Sequence, residues 1–120
     1  KQKKQKRINT VVELLDIYPT LCELSNIGKP KHLQGKSLLH INRLDPKNAN
    51  GYSKYQSGET ITSIEKSYTE WRKKDNNFKA NMMYDLVKDP NENTNVSNNK
   101  ENYSIIIKFQ HLLDSVRKLD

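Results

Sequence analysis

Proline cannot donate to a sheet ladder, so the Asp89-Pro90 pair fixes where the longest strand-forming stretch of this chain must stop. That stretch, Gly58 to Val96, holds the sustained strand pattern of the sequence. Thr60, Ile61, Thr62 and Ile64, then Tyr68, Thr69 and Trp71, are β-branched or aromatic residues flanking the polar Glu65-Lys66-Ser67, which reads as a hairpin. Lys73 to Asn77 is a second polar break, and Met82 to Val87 is a third short apolar run ending ahead of the proline. The aromatics are read as the packed core of a small antiparallel sheet. Gly51 to Gln56 begins with an alternation that suits a first strand, entering the sheet before the hairpin.

Helical spacing brackets this block. Leu14, Leu15, Ile17, Tyr18, Leu21 and Leu24 predict an amphipathic helix over Glu13 to Leu24. Pro19 lies inside it, so either regular hydrogen bonding begins only around Asp16, with Pro19 in the first turn, or the helix kinks there. Gly28 is the expected stop, and Ser37-Leu38-Leu39 a short helical turn between connectors. After a polar break at Asn98 to Glu101, Ile105, Ile106, Phe109, Leu112, Leu113, Val116 and Leu119 form an apolar stripe on a C-terminal helix of roughly four turns. The expected fold is α+β: an antiparallel sheet of about three to four strands packed against the C-terminal helix, with an N-terminal amphipathic helix. Two apolar stripes ask for more partner surface than so short a sheet offers, so the Leu14, Ile17, Tyr18 and Leu21 face is expected to stay uncovered.

A chain of 120 residues buries only about 65% of its unfolded surface. With 33% hydrophobic residues and a mean hydropathy of -0.96 its core is thin, as in a segment of a larger protein. The net charge is +7, but Lys1, Lys3, Lys4, Lys6 and Arg7 supply five of those charges, so the rest carries +2. A basic tail over residues 1–10 is read as solvated or as a junction. The rival reading is a free-standing basic module binding polyanions, nucleic acid or sulfated glycan, and its support is this tail. No aromatics interleave with the tail, which argues against nucleic acid. No apolar run reaches the length of a membrane helix, and no signal-peptide core follows the basic N-terminus.

Candidate chemistry is sparse. Asp89-Pro90-Asn91-Glu92-Asn93 begins like a calcium loop, but Thr94 stands where such a loop needs Gly and Lys100 where it needs the bidentate Glu. His32, His40 and His111 fit no metal-ligand spacing, and no paired carboxylates suggest acid-base work. No catalytic residue and no metal ligand is assigned.

Four segments in order resemble the end of the sulfatase family, near its iduronate-2-sulfatase-like and arylsulfatase branches. Val12 to Ile27 (VELLDIYPTLCELSNI) is similar to the family's Asp-x-x-Pro-Thr helix and Leu33 to Leu39 (LQGKSLL) to its Gly-x-Ser-Leu turn. Tyr68, Thr69 and Trp71 match a Tyr-Thr-x-Trp-like run. Tyr84, Asp85, Leu86, Asp89, Pro90, Glu92, Asn95 and Val96 match a Leu-Tyr-Asp-Leu-x-x-Asp-Pro-x-Glu-x-x-Asn-Leu motif. The chain departs from the pattern at Thr62, where the family usually has Arg, and at Lys66-Ser67, where it has a Tyr-Arg or Tyr-Lys pair.

The resemblance implies that residues 11–120 form a sulfatase C-terminal subdomain whose catalytic N-terminal domain is its missing partner. The parent would hydrolyse sulfate esters, a sulfated carbohydrate for instance, using a formylglycine and a calcium ion held in that other domain. A secreted, periplasmic or lysosomal parent would suit this. Cys22 is not the formylglycine precursor, because Glu23, Leu24, Ser25 and Asn26 follow it in place of the Cys-x-Pro-Ser-Arg pattern. The segment Ser53 to Gln56 resembles one that approaches the rim of the sulfate-ester pocket, and Lys54 and Gln56 are the candidate substrate contacts. This chain alone is expected to complete the fold and to be inactive.

Overall fold

The computed structural model describes residues 7–118 except 44, 74 and 76. Lys1, Lys3, Lys4 and Lys6 of the basic tail, and Leu119 of the C-terminal stripe, therefore lie outside the described residues. The chain divides after Ala49 into two compact units.

In the first unit, helix α1 covers Ile17–Leu24, preceded by a 3-10 turn at Leu14–Asp16. Regular hydrogen bonding thus starts after Asp16, and Pro19 sits in the first turn, where its missing N–H removes no helical bond. The helix ends on Asn26 rather than at Gly28. Asn26 takes φ 53°, and the amides of Asn26 and Ile27 donate back to Glu23 O (3.2 Å) and Cys22 O (2.8 Å), a Schellman closure. Asn tolerates this left-handed backbone, so the chain closes two residues before the glycine.

The segment after the helix is clamped to it. Lys36 N donates to Asp16 Oδ1 (2.8 Å) and Leu38 N to Thr20 Oγ1 (2.9 Å), while a Cβ on Gly35 would lie 2.1 Å from Leu15 O. The Asp-x-x-Pro-Thr and Gly-x-Ser-Leu residues are thus two halves of one contact. Leu38–Arg43 forms a 3-10 helix, longer than the single turn expected. Pro19 and Cys22 are buried, whereas Leu14 (85%), Ile17 (48%), Tyr18 (56%) and Leu21 (55%) are exposed.

The second unit is a four-stranded antiparallel meander with α2 on one face: β1 Gly51–Tyr55, β2 Gly58–Thr62, β3 Lys66–Arg72, β4 Phe78–Asp85 and α2 Tyr103–Arg117. Strand boundaries differ from expectation at three places. The β2–β3 hairpin turns at Ser63 to Glu65, because Ser63 Oγ accepts from Lys66 N (3.0 Å) and Lys66 already pairs with Asp85. The last strand begins at Phe78, four residues early, and stops at Asp85 rather than Val87, because Asp85 Oδ1 takes the amides of Val87 and Lys88 (3.1 Å each) into a turn.

Register puts Tyr52, Ile61, Tyr68 and Met83 in line across all four strands, on one face. Ile61, Tyr68 and Met83 meet Ile106, Phe109 and Leu113, which recur on α2 at three- and four-residue spacing. Tyr68 and Phe109 pack with ring centroids 6.2 Å apart. Phe109 is 1% exposed and Leu113 0%, so truncation to Ala would cost about 3 to 5 kcal/mol at Phe109 and about 2 to 5 kcal/mol at Leu113.

Candidate functional site

One ladder step beyond that core line, on the same face, lie Lys54, Glu59, Glu70 and Asn81. Glu59 and Glu70 are direct cross-strand partners, 6% and 1% exposed, and like charges so placed repel. Arg117, in the last turn of α2, answers both: Nε donates to Glu59 Oε2 (2.6 Å) and Nη2 to Glu70 Oε2 (2.9 Å), with Nη1 on Asp114 Oδ1 (2.8 Å). Tyr52 Oη donates to Glu59 Oε1 (3.2 Å) and Tyr68 Oη to Glu70 Oε1 (3.0 Å), while Arg72 Nη2 donates to Glu70 Oε2 (3.0 Å). The Tyr68 hydroxyl in turn accepts from Asn81 (3.4 Å) and Gln110 (3.2 Å).

These contacts set the ionisation. Burial pushes the Glu59 and Glu70 carboxyls up, but the Arg117 guanidinium and the surrounding donors outweigh it, and both titrate below the usual carboxylate range. Burial also acts to lower Arg117, and its carboxylate partners reverse that, holding it charged. Burial, with the Glu70 charge, pushes the Tyr68 phenol up to about 12. Two acids kept ionised and fully partnered supply neither a proton nor a free base at neutral pH. The network is a rivet between helix and sheet.

The rivet lies beside an open groove at the end of the sheet, about 700 Å³, lined by Lys54, Gln56, Ser57, Glu59, Arg72, Lys73 and Lys79. Tyr55 pairs with Gly58, leaving a two-residue loop in which Gln56 takes φ 53°. Ser57 O accepts from Arg72 N (3.0 Å), tying this loop to the end of β3. The Trp71 indole closes over Gly58, where a Cβ would lie 2.8 Å from its Nε1. Lys54 and Gln56, singled out in the sequence, thus line one groove, with Lys54 Nζ 3.4 Å from Glu59 Oε1. Arg72, Lys73 and Lys79 were not singled out, since they sit on the next hairpin and only strand register brings them to the same end. Arg117 gives no local signal either, standing 58 residues from Glu59.

A second polar cavity, about 530 Å³, lies beside the Asp-Pro loop. Its two aspartates are engaged internally: Asp89 Oδ2 accepts from Thr94 N (2.7 Å), and Asp85 Oδ2 from the Lys66 ammonium (3.0 Å). Asn95 Oδ1 accepts from Met83 N and Ser97 N (3.0 Å each), closing the loop onto β4. Among the described residues no three His, Cys, Asp or Glu side chains group to hold a metal ion, and Cys22 is buried. The described residues therefore do not fit a calcium ion, and Cys22, buried and followed by Glu23-Leu24-Ser25-Asn26, does not fit a formylglycine centre.

Residues 1–119 match the family model described as N-sulphoglucosamine sulphohydrolase, C-terminal. An arylsulfatase of Clostridium perfringens is 30% identical over 124 residues, which cover 99% of this chain and 24% of the relative. A crystal structure described as a sulfatase from Bacteroides thetaiotaomicron superposes with a TM-score of 0.69 at 27% identity, covering 96% of this chain and 26% of that one. A structure of BT4656 in complex with its substrate, D-glucosamine-2-N,6-O-disulfate, gives a TM-score of 0.68 at 20% identity over 86% of this chain and 23% of that chain. The chain thus spans about a quarter of the length of each of these proteins.

Proposed function

Since the chain belongs to the family of N-sulphoglucosamine sulphohydrolase C-terminal domains, we propose that it completes the fold of a sulfatase and walls one side of the pocket for a sulfated carbohydrate. The parent would be a sulfuric ester hydrolase. Its formylglycine nucleophile and calcium ion would belong to the preceding three quarters of the protein, and this chain alone would turn nothing over. The reading extends from residue 11 to residue 120 as one subdomain, with the basic residues before it as a junction. The substrate class is supported by the sulfated glucosamine of the BT4656 complex. The Tyr68-Thr69-x-Trp71 run and the Tyr84-Asp85-Leu86 motif support a parent near the iduronate-2-sulfatase-like branch. Lys54 and Gln56 are the proposed contacts, one offering a point charge to sulfate and the other an amide to sugar hydroxyls.

The observation that carries this reading is the bare face of α1. Leu14, Leu15, Ile17, Tyr18, Leu21 and Leu24, with Ile27 beyond them, are all exposed. A soluble domain seldom leaves so contiguous an apolar stripe in water. The occupant we assign to it is the catalytic domain that precedes this quarter of the chain in its relatives. The isolated chain should then bind a hydrophobic dye or self-associate, and Leu14→Gln with Leu21→Gln should reduce both. A monomer with no dye binding and a sharp transition well above about 60 °C would instead be a self-sufficient domain, and would favour the polyanion-binding module.

A further inference from the structure

The groove at the end of the sheet carries more positive charge than a single sulfate contact uses. Lys54 is paired with Glu59 (3.4 Å), and Arg72 with Glu70 (3.0 Å). Lys73 and Lys79 line the same groove, are exposed, and have no ion-pair partner among the described residues. They flank the β3–β4 hairpin: Lys73 N donates to Asn77 O (2.8 Å), and Lys79 lies within β4 at the bulge opposite Trp71 and Arg72. Asp75, the acid of that hairpin loop, is engaged by the Asn77 side-chain amide (2.7 Å) and backbone (3.1 Å). The floor of the groove is thus internally neutralised, while one rim presents two ammonium groups with no carboxylate assigned to them.

Two such ammonium groups can take a second anion besides one held at Lys54 and Gln56 in the same groove. A volume of about 700 Å³ lies within the range that houses a ligand of two sugar units' size. We propose that Lys73 and Lys79 form a second anionic subsite, taking a sulfate or carboxylate on the sugar next to the one at Lys54 and Gln56. The ligand of this groove is then an oligosaccharide with anionic groups on successive units. The proposal rests on the sulfated-carbohydrate reading above.

The test is calorimetric binding to the full chain of three probes: D-glucosamine-2-N,6-O-disulfate, a heparin-derived tetrasaccharide, and an oligothymidylate of matched charge. The basic tail is common to all variants, so its contribution cancels in the comparison. Lys73→Gln with Lys79→Gln should weaken the tetrasaccharide about tenfold and lower its salt dependence by about two released counterions. Binding of the monosaccharide should be unchanged in that variant, whereas Lys54→Gln should weaken both sugars. Undiminished tetrasaccharide binding in the double variant, with the Lys54→Gln loss intact, overturns the second subsite and leaves the carbohydrate reading standing. Loss in neither variant sinks both. Oligothymidylate binding as tight as the tetrasaccharide's, or no tetrasaccharide binding at all, also overturns the proposal, the first by making the groove an unselective basic surface.

Discussion

Replacing Arg117 by Met keeps much of the side chain's volume and removes its charge, which isolates what the guanidinium does. In the intact protein it bridges two carboxylates that face each other across β2 and β3, with side chains only 8% and 1% exposed. Without it Glu59 keeps Lys54 and Tyr52, and Glu70 keeps Arg72 and Tyr68. Breaking one partner out of a buried ion network typically costs 3 to 5 kcal/mol, and the remaining donors place this case near the lower end, about 3 kcal/mol. For a unit of this size each kcal/mol moves the midpoint by about 4 to 8 °C, so the second unit should melt about 12 to 24 °C lower. Urea denaturation followed by near-ultraviolet dichroism of the tyrosines gives the free energy directly. Adding Glu70→Gln to Arg117→Met should recover a large share of the loss, because the like-charge pair is then gone. The penalty of Arg117→Met should also shrink as pH falls toward and through the ordinary carboxylate range, because burial without the guanidinium makes the orphaned carboxylates easier to protonate. A loss under 1 kcal/mol, or a Glu70→Gln effect that simply adds to it, would show that the repulsion between Glu59 and Glu70 is screened and the rivet reasoning is wrong.

Two further outcomes follow from the same contacts. Asn95→Ala strips the acceptor from the amide of buried Met83, so it should lower stability by about 1 to 3 kcal/mol and speed exchange of the Met83 and Ser97 amides; unchanged exchange would refute the closure of the Asp-Pro loop. Glu59 and Glu70 have folded pKa values below their ordinary 4.5, so their contribution is fully present above that pH and is lost as pH falls through the lower folded values. Stability of the second unit should therefore hold level from neutral pH down to about 5 and decline below about 4.5, and a decline beginning near pH 6 would point to histidine instead.

The sheet was legible because each strand announces itself locally. β-branched and aromatic residues at Thr60 to Trp71 and the proline at Pro90 are signals within a few residues of what they determine. The helix stripes were readable for the same reason. Boundaries were less so, since Asp85 and Ser63 end strands through side-chain bonds to nearby amides, and such residues look the same in sequence when they do not. Asn26 is the equivalent case at a helix end, taking a role that composition assigns to glycine. The groove was half visible: Lys54 and Gln56 are neighbours in sequence, whereas Lys73 and Lys79 join them only through the pairing of β1 with β2, β2 with β3 and β3 with β4. Arg117 lay beyond any local reading.

That distance also governs the order in which the molecule can be made. Glu70 leaves the ribosome 47 residues ahead of Arg117, and Glu59 earlier still, by 58. At a synthesis rate of about 5 to 20 residues per second the two acids wait roughly 2 to 12 seconds for their counter-charge. Through that interval the nascent sheet has a repelling pair across its two middle strands and no helix over its apolar line, so strand pairing stays reversible. Helix α2 then supplies both, the cover through Ile106, Phe109 and Leu113 and the missing charge through Arg117 in its last turn, so closure arrives with the end of translation of this unit. A register error made early can be undone before it is locked in.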